Sequence, residues 1–333
     1  LIEAQLLETA IVNIMNIQVS LATKVARCVH AAQGRPIVDF ALRRTHGTDA
    51  GMALARAGHI AGLSATSNVL AGKTYGLPVS GTMAHSFITS FEDETAAFRA
   101  FAEVYGDQTV LLIDTYDTLE GARKAVTVAR EMHERGQSLR GVRLDSGDMT
   151  TLSRQVRDIL DRAGLHDVRI FASGGFDEFR IARGIREGCR IDAYGVGSRM
   201  GVAADAPYTD MAYKLVEYDG RPVLKLSSGK ETLVARKQVY RREEAGRFTG
   251  DTIALRGEEP AGTPLLRPVM EGGRRTAPAE PLDTLRARCA RELDRLPDGV
   301  RAITRPEPYP VATSAPLQDL QQTVRGRHFG DSI

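Results

Sequence analysis

Between residues 35 and 204 the chain alternates short β-like runs with amphipathic stretches of helical period, and no other feature restricts the possible folds so much. The runs cover residues 36–39, 59–63, 78–81, 109–114, 141–144, 168–172 and 191–196. They recur roughly every 20–30 residues, the spacing of βα units in a parallel sheet or barrel. Helices are predicted between them over 92–105, 117–135, 151–162 and 177–187. The third follows Ser146-Gly147-Asp148 and the fourth a Gly-Gly turn, both common helix entries. No repeat is visible in the residues themselves, so the regularity is architectural. With 333 residues there is enough chain for one large or two medium cores.

After residue 205 the pattern changes. Asp219-Gly220 sits between two β-like runs and predicts a hairpin. Residues 234–241 and 252–255 read as a second antiparallel pair around Glu244-Ala245-Gly246. A Pro- and Gly-rich stretch over 258–281 follows, then helices near 282–296 and 316–325. The expected division is an α/β barrel over 35–204 and a discontinuous second α+β domain from 1–34 plus 205–333. The chain opens at Leu1 and runs straight into Glu3-Ala4-Gln5-Leu6-Leu7-Glu8-Thr9, with Leu7, Ile11, Ile14, Leu21 and Val25 near helical spacing and no cap. On that ground an N-terminal portion is expected to be missing.

Polar residues follow nearly every predicted strand. Arg43 and Arg44 follow the first; Thr66, Ser67 and Asn68 the second; Thr82, His85 and Ser86 the third. Asp114, Thr115, Tyr116 and Asp117 end the fourth, and Asp145, Ser146 and Asp148 the fifth. Ser173-Gly174-Gly175 follows the sixth, and Gly195, Gly197 and Ser198 end the seventh. In a parallel barrel all these ends face one mouth, where active sites are built. One polar loop means little, whereas seven in succession predict a shared pocket.

Several of these segments suit particular chemistry. Arg143-Leu144-Asp145-Ser146-Gly147-Asp148 places two carboxylates around a turn, suited to ribose hydroxyls, a ring nitrogen or Mg²⁺, with Arg143 able to pair with a phosphate or with Asp145. The same segment reads equally as a strand end with Asp148 capping a helix. Ser173-Gly174-Gly175 and Gly195-Val196-Gly197-Ser198 are glycine-bearing turns of the kind that hold phosphate through bare backbone N–H groups, and Arg199 can add charge. Glycine also serves tight turns alone. His85, among small residues after a strand, can act as nucleophile or base. Phe40 can stack on a flat heterocycle, and Arg43 and Arg44 can clamp a carboxylate or a pyrophosphate. A core phenylalanine beside solvated arginines is the plainer reading of that run.

Composition narrows the field further. The balance of 44 basic and 42 acidic residues makes no general case for nucleic acid or an acidic membrane surface. Cys28, Cys189 and Cys289 lie far apart and form no metal-type pair, as in a reducing cytoplasm. No apolar run approaches the roughly 20 residues of a membrane span. His30, His46, His59, His133, His166 and His328 have no metal-site spacing, and no protein metal-ligand set is expected.

The runs Ala65-Thr66-Ser67-Asn68-Val69-Leu70-Ala71-Gly72, Gly81-Thr82-Met83-Ala84-His85-Ser86-Phe87 and Val142-Arg143-Leu144-Asp145-Ser146-Gly147-Asp148 together resemble the nicotinate phosphoribosyltransferase family. Leu42-Arg43-Arg44, Gly195-Val196-Gly197-Ser198, Tyr213-Lys214-Leu215-Val216 and the opening helix extend the likeness along nearly the whole chain. The resemblance implies a type II phosphoribosyltransferase fold, an irregular TIM-like α/β barrel with a domain made from both chain ends. It implies that nicotinate and phosphoribosyl pyrophosphate give nicotinate mononucleotide and pyrophosphate, coupled to ATP hydrolysis with Mg²⁺, in a cytoplasmic homodimer whose active site lies at the subunit interface.

By the same resemblance His85 is the histidine phosphorylated by ATP, and Arg43 and Asp145 meet the substrate and phosphoribosyl groups. Phe40, Thr66, Ser67, Ser86, Arg143 and Asp148 join the substrate site. Ser173, Gly174, Gly175, Gly195, Gly197 and Ser198 are placed at the 5′-phosphate. A Thr-Asp-x-Tyr-like N-terminal motif of the family has no match here. The rival readings are a type II enzyme for nicotinamide or quinolinate, and a truncated, non-catalytic nucleotide-binding remnant. An aldolase-like barrel would want a Schiff-base lysine at a strand end, whereas Lys73 and Lys124 fall in predicted helices.

Overall fold

Six short parallel strands make the central sheet of the computed structural model, which describes residues 2–227 and 229–329. The strands are β1 (Ile37–Asp39), β2 (Ala65–Thr66), β3 (Val110–Leu112), β4 (Gly141–Leu144), β5 (Arg169–Ala172) and β6 (Ala193–Val196). Their spatial order is β2-β1-β6-β5-β4-β3, so the first strand pairs with the last, as in a barrel. All the pairings are parallel, which directs every strand's C-terminal end to one side.

Helices join and surround the strands: α1 (Ile2–Ala31), α2 (Thr48–Ala61), α3 (Val69–Tyr75), α4 (His85–Thr89), α5 (Glu94–Tyr105), α6 (Thr118–Glu134), α7 (Met149–Arg162), α8 (Glu178–Arg186) and the single turn α9 (Ser198–Gly201). Four of them start on an aspartate that accepts backbone N–H bonds. Asp93 takes Ala96, Asp117 takes Leu119 and Glu120, Asp148 takes Thr150, and Asp177 takes Arg180. Each cap satisfies donors that the first turn leaves open. One face of β4 and β5, with Val142, Leu144, Ile170 and Ala172, is buried together with Val156 and Leu160 of α7.

Two of the seven expected strands differ. Residues 59–63 belong to the end of α2 and its cap, where Gly62 turns left-handed at φ 117° and stops the helix; the strand forms two residues later, at Ala65–Thr66. Residues 78–81 make only one isolated parallel bridge, Thr66 to Val79. A proline and a glycine within four residues deny that run a regular ladder.

The chain divides into two compact units, 13–209 and 1–12 with 210–333. This moves most of the opening helix out of the domain expected for 1–34. The physical reason is burial: Leu21, Val25, Cys28 and Ala31 are in the core of the first unit. Lys24, 4% exposed, pairs with the fully buried Glu178 at 2.7 Å and with Asp205. Arg27 donates to the same Glu178 at 2.9 Å. Among the described helices, α1 is long and apolar enough to cross a membrane by length and composition alone, and that apolar window is largely exposed. The sequence reading missed it because Asn13, Asn16, Gln18 and Ser20 interrupt any continuous apolar run.

The second unit is mainly antiparallel. Strands β7 (Glu217–Tyr218) and β8 (Arg221–Pro222) form the expected Asp219-Gly220 hairpin. The long pair β9 (Lys237–Glu244) and β10 (Arg247–Leu255) turns at Ala245-Gly246 and is flanked by β11 (Thr263–Pro264) and β14 (Val311–Thr313). The small hairpin β12 (Met270–Glu271) with β13 (Arg274–Arg275), and helices α10 (Leu282–Arg295), α11 (Asp298–Arg301) and α12 (Ala315–Phe329), complete it. Val234, Ala235, Leu317 and Val324 form its small core, with Ile253 and Leu255 of β10 packed against them.

Candidate active site

The ends of β3, β4 and β5 and the loop before α4 converge on one cluster of side chains. Arg143 projects from β4 and is almost fully buried. Its Nε donates to Ser173 Oγ at 2.9 Å, and its Nη1 donates to the Met83 carbonyl at 2.8 Å and to the Thr82 hydroxyl. Its Nη2 lies 3.2 Å from Asp145 Oδ1. A planar guanidinium with five donors can serve four such partners at once, and so it pins the loop preceding α4 to the sheet.

Asp145 is held from two sides. The Ser173 hydroxyl donates to its Oδ1 at 2.5 Å, and its other oxygen, Oδ2, lies 3.6 Å from His85 Nε2. Burial pushes the Asp145 carboxyl up, but the Ser173 hydroxyl, the Arg143 guanidinium and His85 outweigh it and hold the group below the usual carboxylate range. At the first position of α4, His85 keeps a half-open side chain. The other ring nitrogen, Nδ1, is 3.1 Å from Thr115 Oγ1 at the end of β3.

Asp114, beside Thr115, is a residue the sequence reading placed at a strand end without assigning it to the site. Its Oδ2 accepts the Asp145 backbone N–H at 2.9 Å and the Ser146 hydroxyl at 2.7 Å. Its Oδ1 is buried without a hydrogen-bond partner. A buried carboxylate oxygen left without a partner among the described residues suits a cation or a hydroxyl. Among the described residues no three His, Cys, Asp or Glu side chains group as a metal site. His328, counted earlier among histidines without metal spacing, has a side chain outside the described residues.

The other expected residues fall into distinct places. Ser173 sits inside the cluster, and Gly174 and Gly175 follow at φ +92° and +66°. A β-carbon on Gly174 would overlap the Asp145 carbonyl oxygen, so this turn needs glycine for both its backbone and its approach to the β4 loop. Arg43 is exposed on the short 3₁₀ turn Leu42–Arg44 beyond β1, and among the described residues its guanidinium has no ion-pair partner. Ser67 is half-buried, and Ser86 is exposed beside His85. Gly197 and Ser198 open α9 at the end of β6.

Three residues are engaged otherwise than the sequence reading expected, and a fourth, Asp148, takes the helix-capping role that was one of its two readings. Asp148 caps α7, accepting from Thr150 N–H at 3.2 Å and from the Thr151 hydroxyl at 2.5 Å. Thr66 donates to the buried Asp39 at 2.7 Å and accepts from Asn68 N–H, so its hydroxyl is committed to joining β1 and β2. Arg199 donates to Asp177 at 2.6 Å, which fixes it to the start of α8. Gly195 lies within β6, buried, between Phe40 and Phe171, and not in a turn. Asp39, with burial pushing its carboxyl up against the bonds from Thr66 and Ala41 N–H, organises the end of β1. Its role was not legible because one aspartate at a strand end carries no local signal.

The nicotinate phosphoribosyltransferase family matches residues 36–243, and the nicotinate phosphoribosyltransferase C-terminal domain matches 261–321. A Mycobacterium tuberculosis protein named nicotinate phosphoribosyltransferase pncB2 is 50% identical over 316 residues, covering 94% of this chain and 68% of that protein. A Bacillus subtilis nicotinate phosphoribosyltransferase is 45% identical over 268 residues, covering 78% of this chain and 54% of its own length. The crystal structure of human nicotinic acid phosphoribosyltransferase superposes with a TM-score of 0.82 at 27% identity, covering 96% of this chain and 77% of that one.

Proposed function

The chain belongs to the nicotinate phosphoribosyltransferase family, and from that premise we propose that it joins nicotinate to phosphoribosyl pyrophosphate, giving nicotinate mononucleotide and pyrophosphate in NAD biosynthesis. The observation that supports this most directly is the convergence of His85, Asp145, Arg143, Ser173 and Asp114 where three parallel strands end. In the reaction the pyridine nitrogen forms a bond to the ribose anomeric carbon as the bond to pyrophosphate breaks. There is little for the protein to do but position the two and steady the charge on the leaving group.

The residues divide that work by their chemistry. Arg43, an exposed cation beyond β1, suits the nicotinate carboxylate or a phosphate. Asp145, kept ionised, suits a ribose hydroxyl or the electron-poor sugar as the pyrophosphate bond weakens. The Ser173 N–H is bonded to the Leu144 carbonyl at 2.8 Å, so in this turn Gly174 and Gly175 are the residues whose backbone N–H groups suit the 5′-phosphate, with the Gly197-Ser198 step beside them. Bound Mg²⁺ supplies charge neutralisation for the pyrophosphate, and Asp114 with its unpartnered Oδ1 and Asp145 are the residues whose oxygens fit it.

ATP coupling through a phosphohistidine at His85 is part of the same proposal. In the tautomer whose Nδ1 proton faces Thr115, Nε2 carries the lone pair that takes the γ-phosphoryl group while ADP leaves. Water later takes that group from the histidine as phosphate. The added charge beside Asp145 and Arg143 would shift the cluster between two arrangements. Homodimerisation with a shared active site and a cytoplasmic location complete the reading.

The test is nicotinate mononucleotide formation by the 333-residue chain with and without ATP, beside a His85→Ala variant. Loss of ATP stimulation with basal turnover retained supports the phosphohistidine role, and unchanged ATP dependence removes it. Absence of product with nicotinate, but turnover with nicotinamide or quinolinate, would transfer the assignment to another pyridine.

A further inference from the structure

We propose that Gly195 sets the depth of the pyridine slot by giving the Phe40 ring its seat, and takes no part in holding phosphate; this rests on the proposed reaction. Gly195 belongs to β6, which pairs with β1 on one side and β5 on the other. Phe40 follows β1 directly, and Phe171 is part of β5. The rings from the two flanking strands therefore lean over the one residue between them that has no side chain. Their centroids are 5.7 Å apart and their planes tilted by 52°.

The fit is tight on both sides. A β-carbon at Gly195 would stand 2.6 Å from Cδ2 and Cε2 of Phe40 and 3.0 Å from Cε1 of Phe171. Carbon atoms pack at roughly 3.5–4.0 Å, so even one methyl group needs the Phe40 ring to move by about an ångström. Phe171 blocks retreat along the sheet, and the Phe40 backbone is fixed by its N–H bond to the Val196 carbonyl at 2.9 Å. With Phe171 on one side and the β-carbon on the other, the ring must shift from its seat on the strand, and with it the surface offered to a flat substrate.

Phe40 is also the ring that stands beside the residues of the 3₁₀ turn carrying Arg43. A heterocycle whose carboxylate meets Arg43 would lie on the face of Phe40, at a depth the Gly195 seat dictates. Phosphate recognition, in contrast, needs exposed backbone N–H groups, whereas Gly195 is buried within a paired strand. Residues that touch phosphate belong to the turns beyond the strands.

The experiment compares wild type with Gly195→Ala and, separately, Phe171→Trp, which crowds the same ring from the other side. Calorimetry measures the affinity for phosphoribosyl pyrophosphate and, in its presence, for nicotinate; circular dichroism melts identify the variants that fold. Both variants should weaken nicotinate by roughly tenfold, the lower end of what a one-methylene mismatch costs in an apolar pocket, and leave phosphoribosyl pyrophosphate unchanged. Phe171→Leu placed in the Gly195→Ala background should restore much of the loss. Weaker phosphoribosyl pyrophosphate binding, or unchanged nicotinate affinity in the folded variants, would overturn the inference. Wild-type product formation reads the parent function independently.

Discussion

Replacing Arg143 by methionine removes the cation that organises the candidate site while nearly preserving volume. The guanidinium is buried and serves Ser173, Thr82, the Met83 carbonyl and Asp145. Breaking a buried pair by removing one partner costs about 3–5 kcal/mol. Asp145 keeps 30% of its side chain exposed, so water recovers part of the loss and the lower end, about 3 kcal/mol, applies. The sign with pH follows from Asp145. Its folded carboxyl lies below the ordinary value near about 3.9, so its contribution is full above that value and disappears as pH falls through the folded one. The variant's deficit should therefore be largest at neutral pH and shrink on acidification. Urea unfolding followed by far-ultraviolet circular dichroism is the assay, since the chain has no tryptophan to report by fluorescence. A deficit under about 1 kcal/mol at neutral pH, or one that does not shrink in acid, would refute the account of Arg143 as the centre of this cluster.

Asp148→Ala should lower the melting temperature slightly through loss of the α7 cap and leave KM for both substrates unchanged; a raised KM in steady-state assays would return Asp148 to the substrate site. Lys24→Met should destabilise by about 3 kcal/mol, because Glu178 is fully buried, and pairing it with Glu178→Leu should recover a good part of that in a double-mutant cycle. Additive losses in that cycle would show that the two residues act independently.

The clustering at the mouth was legible because it follows from period and direction alone. Short apolar runs alternating with amphipathic helices produce parallel strands, and parallel strands present their polar ends together. His85, Arg143, Asp145 and Ser173 were chosen on that logic, and the structure brings them within hydrogen-bonding or ion-pairing range of one another. The failures have a common cause. Residues 59–63 and 78–81 are short apolar runs, and such runs do not distinguish a strand from a helix end or a bridge. Asp148, Thr66 and Arg199 are polar residues at strand ends that also serve the fold, as a helix cap, a strand-to-strand bond and an ion pair, and a strand-end position alone does not distinguish such uses.

By itself, then, the order of residues determined the parallel α/β frame, the antiparallel grammar after residue 205, and which types of side chain end at the mouth. Local periodicity and turn chemistry act over a few neighbours and need nothing else. Partner choice belongs to the tertiary structure. Arg143 reaches Thr82 from 61 positions away, Lys24 meets Glu178 across the sequence, and Gly195 acquires its meaning only when Phe40 and Phe171 arrive from neighbouring strands. Such contacts depend on which strand lies beside which, and each is settled only when both partners have been brought together in space.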